Sequence, residues 1–222
     1  MLAYKFLADG AVAPFTGRRW PPPGPRTPGA WVVAPPGDLE RCGVHACRVE
    51  DLAYWLDDEL WLVELDDPVV RTPFQVVAPR GRLLERITAW NGASSGEYAA
   101  ACAWRARDLV VDGLGRAGLQ AEAAALRACI DLPSLEATAT TLAGDATREE
   151  PHGLAAYAAG AALRARQGRF REASLQCTHL GAALASSEAG ADPERAWQSC
   201  WLARRLELHE VGAPTGREAF PM

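Results

Sequence analysis

The sequence predicts an α+β protein: a small mixed sheet domain with one short helix over residues 1–90, followed by an all-α, alanine-rich domain of helical hairpins over residues 97–211. Three observations point there. Residues 1–90 hold 10 valines and 10 alanines, whereas residues 91–222 hold 3 valines and 33 alanines. β-Branched residues suit pleated strands and alanine has the best helix propensity, so the two parts should differ in class. Between them run Asn91, Gly92, Ala93, Ser94, Ser95 and Gly96, turn formers and helix caps that read as a linker over 91–96. The second part also repeats itself, Tyr98–Arg107 matching Tyr157–Arg166 at seven of ten positions. Biased composition raises the rate of such matches, so coincidence between two alanine- and arginine-rich helices stands as the other reading.

In chain order, Tyr4–Leu7 reads as a short strand ending at the Asp9-Gly10 turn signal. A proline-rich loop follows, with half of the 16 prolines inside residues 14–36. Proline lacks the amide donor, so this stretch can be neither helix interior nor central strand. Trp20 and Trp31 carry large apolar surface that is costly to leave wet, which favours an ordered loop held by its tryptophans over a polyproline ligand for a partner's aromatic groove. Arg48–Asp57 spaces Leu52, Trp55 and Leu56 as a short helix, with Glu50 and Asp51 in its first turn. Leu60–Leu65, Phe74–Ala78 and Arg82–Thr88 read as strands, the last two separated by Pro79, Arg80 and Gly81. In the second part each copy of the repeat is followed by a glycine-bearing turn and a helix opening on Glu122-Ala123 or Glu172-Ala173. Pro193–His209 forms the final helix, with Trp197, Cys200, Trp201, Arg204 and Leu208 on one side, and residues 212–222 are a tail.

Composition narrows the function classes. The chain has 222 residues, a net charge of −5, and one lysine against 22 arginines, a bias expected of a high-GC genome. Acidic residues outnumber basic ones by 28 to 23 and no basic stripe is present, which argues against nucleic acid. No run approaches the ~18 apolar residues of a membrane span, and the apolar start at Met1–Leu7 meets Asp9 before a signal core could form. A cytoplasmic location away from membranes is therefore expected, with free thiols rather than disulfides. Oligomeric state is left open.

Chemistry concentrates around Cys42, His45 and Cys47. As a zinc knuckle they lack a second Cys/His pair at ligand spacing, so no metal is expected. As a nucleophile site, His45 would lower the pKa of the Cys47 thiol on the same strand face. In the structural reading the cysteines are small buried residues and His45 is hydrogen-bonded to backbone. Glu50, Asp51, Asp57, Asp58, Glu59, Glu64, Asp66 and Asp67 form an acidic run that reads as a solvated helix face and strand end, or as a surface for a hard cation or a basic partner. No Walker loop, dinucleotide fingerprint, nucleophile elbow or His-Glu-x-x-His is present.

The run Gly43, Val44, His45, Ala46, Cys47, with Trp31 upstream and the Leu60–Leu65 strand downstream, makes residues 1–90 resemble an uncharacterised bacterial and phage domain with a Gly-aliphatic-His-Ala-Cys core; this implies a shared fold and no known reaction. The strand–helix–strand order is also similar to ADP-ribosyltransferase-like domains. Gly160, Leu163, Gly168, Phe170 and Ala173 make residues 154–185 resemble a tetratricopeptide-like helical hairpin. Two functions follow. The first is an interaction or regulatory protein that binds another protein through its helical array and Trp-rich loop, with Tyr4, Trp20, Trp31, Trp197 and Trp201 as binding residues. Alanine-rich bundles also occur among bacterial immunity proteins, which suggests a role of that type by analogy of fold. The second is an enzyme with His45, Cys47 and Glu64 as its catalytic set, binding an NAD-like nucleotide if the ADP-ribosyltransferase resemblance holds. No cofactor is expected under the first.

Overall fold

The computed structural model describes residues 1–144, 152–184 and 192–209. The fold is α+β, and among the described residues no helix is long and apolar enough to cross a membrane. The chain divides into two compact units, one formed by Met1–Asn91 with the segment from Leu202, the other by Gly92–Trp201. The expected tail over 212–222 lies outside the described residues.

In the first unit, β1 (Leu2–Leu7), β4 (Glu59–Leu65), β7 (Arg80–Arg86) and β2 (Val32–Val33) form an antiparallel sheet in the order β1-β4-β7-β2. A second sheet has the order β3-β6-β5, from β3 (Val44–Ala46), β6 (Gln75–Ala78) and β5 (Val70–Thr72). Only Pro79 separates β6 from β7, so one bent strand serves both sheets, and the proposed turn at Pro79–Gly81 is a corner. Proline cannot donate to either ladder, and its carbonyl accepts from Ala34 N at 2.8 Å. At the opposite side, Tyr4 and Cys47 exchange backbone hydrogen bonds of 2.8 and 2.7 Å, which joins β1 to the end of β3. The sheets thus wrap one barrel-like core that takes Ala3 and Leu7 from β1, Trp61, Val63 and Leu65 from β4, and Val76 and Ala78 from β6. Side chains alternate along a strand, which puts Lys5, between Ala3 and Leu7, on this inner face.

The proline-rich segment is an ordered loop, as expected: Trp20 is buried in the barrel core and Gly29 N donates to Leu83 O at 2.8 Å. α1 (Leu39–Cys42), capped by Asp38, and the edge strands β2 and β5 are elements that periodicity did not reveal, being two to four residues long. The helix expected over Arg48–Asp57 is a single 3₁₀ segment, Val49–Tyr54. The acidic run is not a solvated face throughout, since Asp51, Asp57 and Glu59 are buried. Glu59 projects inward from the start of β4 and its carboxylate accepts from Gly10 N, Ala11 N and Trp61 Nε1 at 3.0 to 3.2 Å. Trp90 closes the unit, edge-on to Phe6, with its Nε1 donating to Asp57 O at 2.8 Å.

The second unit is helical: α2 (Gly92–Arg116), α3 (Gln120–Arg127), α4 (Leu132–Ala143), a 3₁₀ turn at His152–Leu154, α5 (Ala155–Arg166), α6 (Phe170–Leu184) and α7 (Pro193–Arg205) as far as Trp201, the end of α7 from Leu202 being counted with the first unit. Residues 92–96, expected as a linker, are the first turns of α2. Ser94 is buried there, so packing outweighs the poor propensity of Gly92 and Gly96. α2 packs against α5 and α6, and α4 against α5. The two hairpins share a turn, since Gly118 and Gly168 both adopt positive φ (80° and 70°) and the next residue bonds back five positions, Leu119 N to Leu114 O and Arg169 N to Arg164 O. The tyrosine repeat does not keep step with it, because α2 runs 25 residues and α5 only 12. α7 stops at Arg205 rather than His209, where Glu207 takes a positive φ of 54° and Leu208 N bonds back to Ala203 O.

A polar network crosses this helical core. Tyr98 Oη lies 3.1 Å from Ser174 Oγ and 3.3 Å from Gln198 Oε1, and Gln198 Nε2 donates to Ser174 O and Thr178 Oγ1. Beside it Arg105 clasps the buried Glu194 carboxylate through two bonds of 2.7 and 2.8 Å. Gly181 makes room for Glu194, since a Cβ there would overlap Glu194 Cγ. Cys102 and Cys177 are fully buried in the same core. Burial pushes the Cys177 thiol up to about 12 and raises the Cys102 thiol and the Tyr98 phenol.

Candidate binding surface of the first unit

The catalytic set expected at His45, Cys47 and Glu64 does not assemble. Val44 and Ala46 of β3 face the barrel core, so His45 points outward, where Nδ1 is hydrogen-bonded to Gln75 Oε1 at 2.9 Å. Cys47 is 1% exposed, and burial raises its thiol pKa despite the nearby Lys5 charge, the opposite of what a nucleophile needs. Glu64 lies on β4, paired with Arg82 of β7 at 2.6 Å. β1 stands between β4 and Cys47, a separation of two strand spacings or about 9.6 Å. Cys42, at the end of α1, is exposed. Among the described residues no group of three His, Cys, Asp or Glu side chains could hold a metal ion.

The five aromatic residues nominated for binding are engaged by the fold to different degrees. Tyr4 and Trp20 are 5% and 3% exposed and cannot meet a partner. Tyr4 Oη donates to His209 O at 3.1 Å, and burial raises its phenol pKa. Trp31 is partly exposed but stacked against two guanidinium groups, Arg80 at 4.8 Å and Arg82 at 4.5 Å. In the helical unit, Trp197 meets the Arg105 guanidinium at 5.7 Å and Trp201 packs on Tyr98 at 5.4 Å.

Four other aromatic side chains do face solvent together. Phe15 comes from the turn after β1, where Gly17 N closes on Ala13 O; Tyr54 and Trp55 end the 3₁₀ segment; Phe74 sits in the β5–β6 turn. Phe15 packs edge-on to Trp55 with centroids 6.4 Å apart, and Tyr54 stacks on Phe74 at 4.3 Å. Trp55 Nε1 donates to Phe74 O at 2.7 Å, which ties the two pairs into one patch. Phe15 remains 85% exposed and Phe74 50%. With the indole N–H engaged inside the patch, what it offers outward is ring surface. The sequence held a signal for it: Phe15 and Phe74 each follow a proline, at Pro14 and Pro73, in a turn where no core lies beneath them.

Comparison of the chain with protein-family models, with curated proteins and with solved structures gives no match.

Proposed function

We propose that the chain is an interaction protein, and that its first unit binds a protein partner through the patch formed by Phe15, Tyr54, Trp55 and Phe74. One observation carries this reading: four rings contributed by three separate connections meet on the surface, two of them at least half exposed. Rings left wet forgo about 1.5–3 kcal/mol each of burial, and aromatic anchors of this kind dominate protein–protein interfaces. The partner supplies apolar or aromatic side chains, because the patch presents ring faces and no free indole donor. This moves the binding role away from the Trp-rich loop, whose Trp20 lies in the barrel core.

Replacing Phe15 by the photoreactive p-benzoylphenylalanine and irradiating in an extract of the source cells tests it. A discrete adduct that disappears when Phe74 is also changed to Ser is expected. The same probe at Ile130, which is 89% exposed in the helical unit, is the control. Equal labelling from both positions, or none from position 15, refutes the reading.

A further inference from the structure

β5 is the last strand of its sheet, with β6 on one side and, among the described residues, no strand on the other. The register fixes which of its backbone groups face outward. Thr72 and Gln75 close the turn at Pro73 and Phe74, and the next pair is Arg71 with Val76. Antiparallel pairs alternate between those that exchange hydrogen bonds and those that do not, so the pair closing a two-residue turn is bonded and the Arg71–Val76 pair is not. The far side of β6 agrees with this phase. There Val76 and Ala78 bond to β3, which turns the His45 carbonyl away from β6, and that carbonyl accepts from Lys5 Nζ. The N–H and C=O of Arg71 therefore point out of the sheet edge. Among the described residues no backbone group outside the hairpin bonds to them. The Arg71 side chain is exposed, and no carboxylate among the described residues pairs with it.

We propose that this edge takes an extended segment of the partner as an added strand, with an acidic residue opposite Arg71 and an aromatic or apolar residue two or three positions along. The inference rests on the reading that this face binds a protein, and it names the class of segment bound. An outward N–H and C=O select extended backbone, because a helix has already satisfied its own groups. Directly opposed residues on neighbouring strands have Cβ atoms about 5 Å apart on one face, where opposite charges attract and like charges repel. A second copy adding about a two-fold axis at this point would set Arg71 against its own equivalent, so the charge selects a different, acidic chain. Strands rise about 3.3 Å per residue, so an added strand running past Thr72 reaches the Phe74 turn about 10 Å from Arg71. Its aromatic residue there meets the rings of Tyr54, Trp55 and Phe74. Main-chain bonds hold the segment, and the acid and the ring select it.

The probe is an acetylated, amidated heptapeptide with glutamate at its centre, phenylalanine two positions to either side and threonine elsewhere, titrated into the isotope-labelled full chain and followed by NMR. The Arg71 amide should shift saturably and its hydrogen exchange should slow. Arg71→Glu should weaken this peptide about fivefold and should favour the counterpart carrying lysine at the centre. Arg71→Pro, a change that sheet edges tolerate, removes the donor and should weaken the glutamate peptide about tenfold, circular dichroism confirming the fold. Shifts confined to the aromatic residues, with Arg71 exchange unchanged, overturn the added strand and leave the aromatic surface standing. Absence of binding at millimolar peptide overturns it too, while crosslinking from position 15 decides separately whether that surface meets a partner. Arg71 protection that grows with protein concentration in the absence of peptide would make the occupant a second copy and refute the acidic segment.

Discussion

Alkaline pH should unfold the helical unit through its buried thiols. In the unfolded chain a thiol titrates near 8.5. In the fold, Cys177 is pushed up to about 12 and Cys102 is raised well above its ordinary value, desolvation being the main cause for both. These are acids whose folded pKa exceeds the unfolded one, so the native state binds more protons and stability falls as pH rises past about 8.5. At pH 10 an unfolded thiol has gained about 2 kcal/mol from ionisation that a still-protonated buried thiol has not, so the two together remove about 4 kcal/mol. With a urea slope of about 2 kcal/mol per molar, the unfolding midpoint should drop by about 2 M between pH 7.5 and pH 10. Urea titration followed by far-UV circular dichroism, which the helices dominate, measures it. The Cys102→Ala/Cys177→Ala variant starts less stable but should lose no more than about 1 kcal/mol over the same interval. A wild-type midpoint that stays constant between the two pH values, or an equal drop in the double variant, would show that these thiols do not carry the effect.

Further outcomes follow from other buried groups. Arg105→Met leaves the buried Glu194 carboxylate without its counter-ion, with the Cys177 thiol still donating to it, and should cost about 3–5 kcal/mol, while adding Glu194→Met should recover most of it; a double-mutant cycle by chemical denaturation decides. Glu59→Ala removes the acceptor shared by Gly10, Ala11 and Trp61 and should destabilise the first unit by about 3 kcal/mol, read as a lower midpoint in a thermal melt followed by tryptophan fluorescence. Trp20→Ala should cost about 3–5 kcal/mol although Trp20 borders a loop, whereas Phe15→Ser should stay within about 0.5 kcal/mol, and the same melt compares them.

What was legible in the sequence was what depends on near neighbours. The shift from valine to alanine near residue 91 marks the change from strands to helices, and Gly118 and Gly168 mark the hairpin turns. The proline run announced an ordered loop anchored by tryptophan. Strands of two or three residues carry no period to detect, so β2 and β5 were missed. That His45, Cys47 and Glu64 do not come together was hidden for a related reason. Cys47 and His45 alternate on an extended segment, but which face is covered was settled by β1 and β6, which come from other parts of the chain.

The sequence by itself determined the α+β class, the join beside Asn91 and most of the longer elements, because propensity and periodicity act over about four residues. The tertiary structure decided which side chains are buried, paired or exposed. Lys5 meets the His45 carbonyl across 40 residues and Tyr98 meets Gln198 across 100. Phe15, Trp55 and Phe74 become one surface only when three separate turns converge. Desolvation, hydrogen bonding and exposure are set by what the fold brings into contact, and no local pattern encodes that.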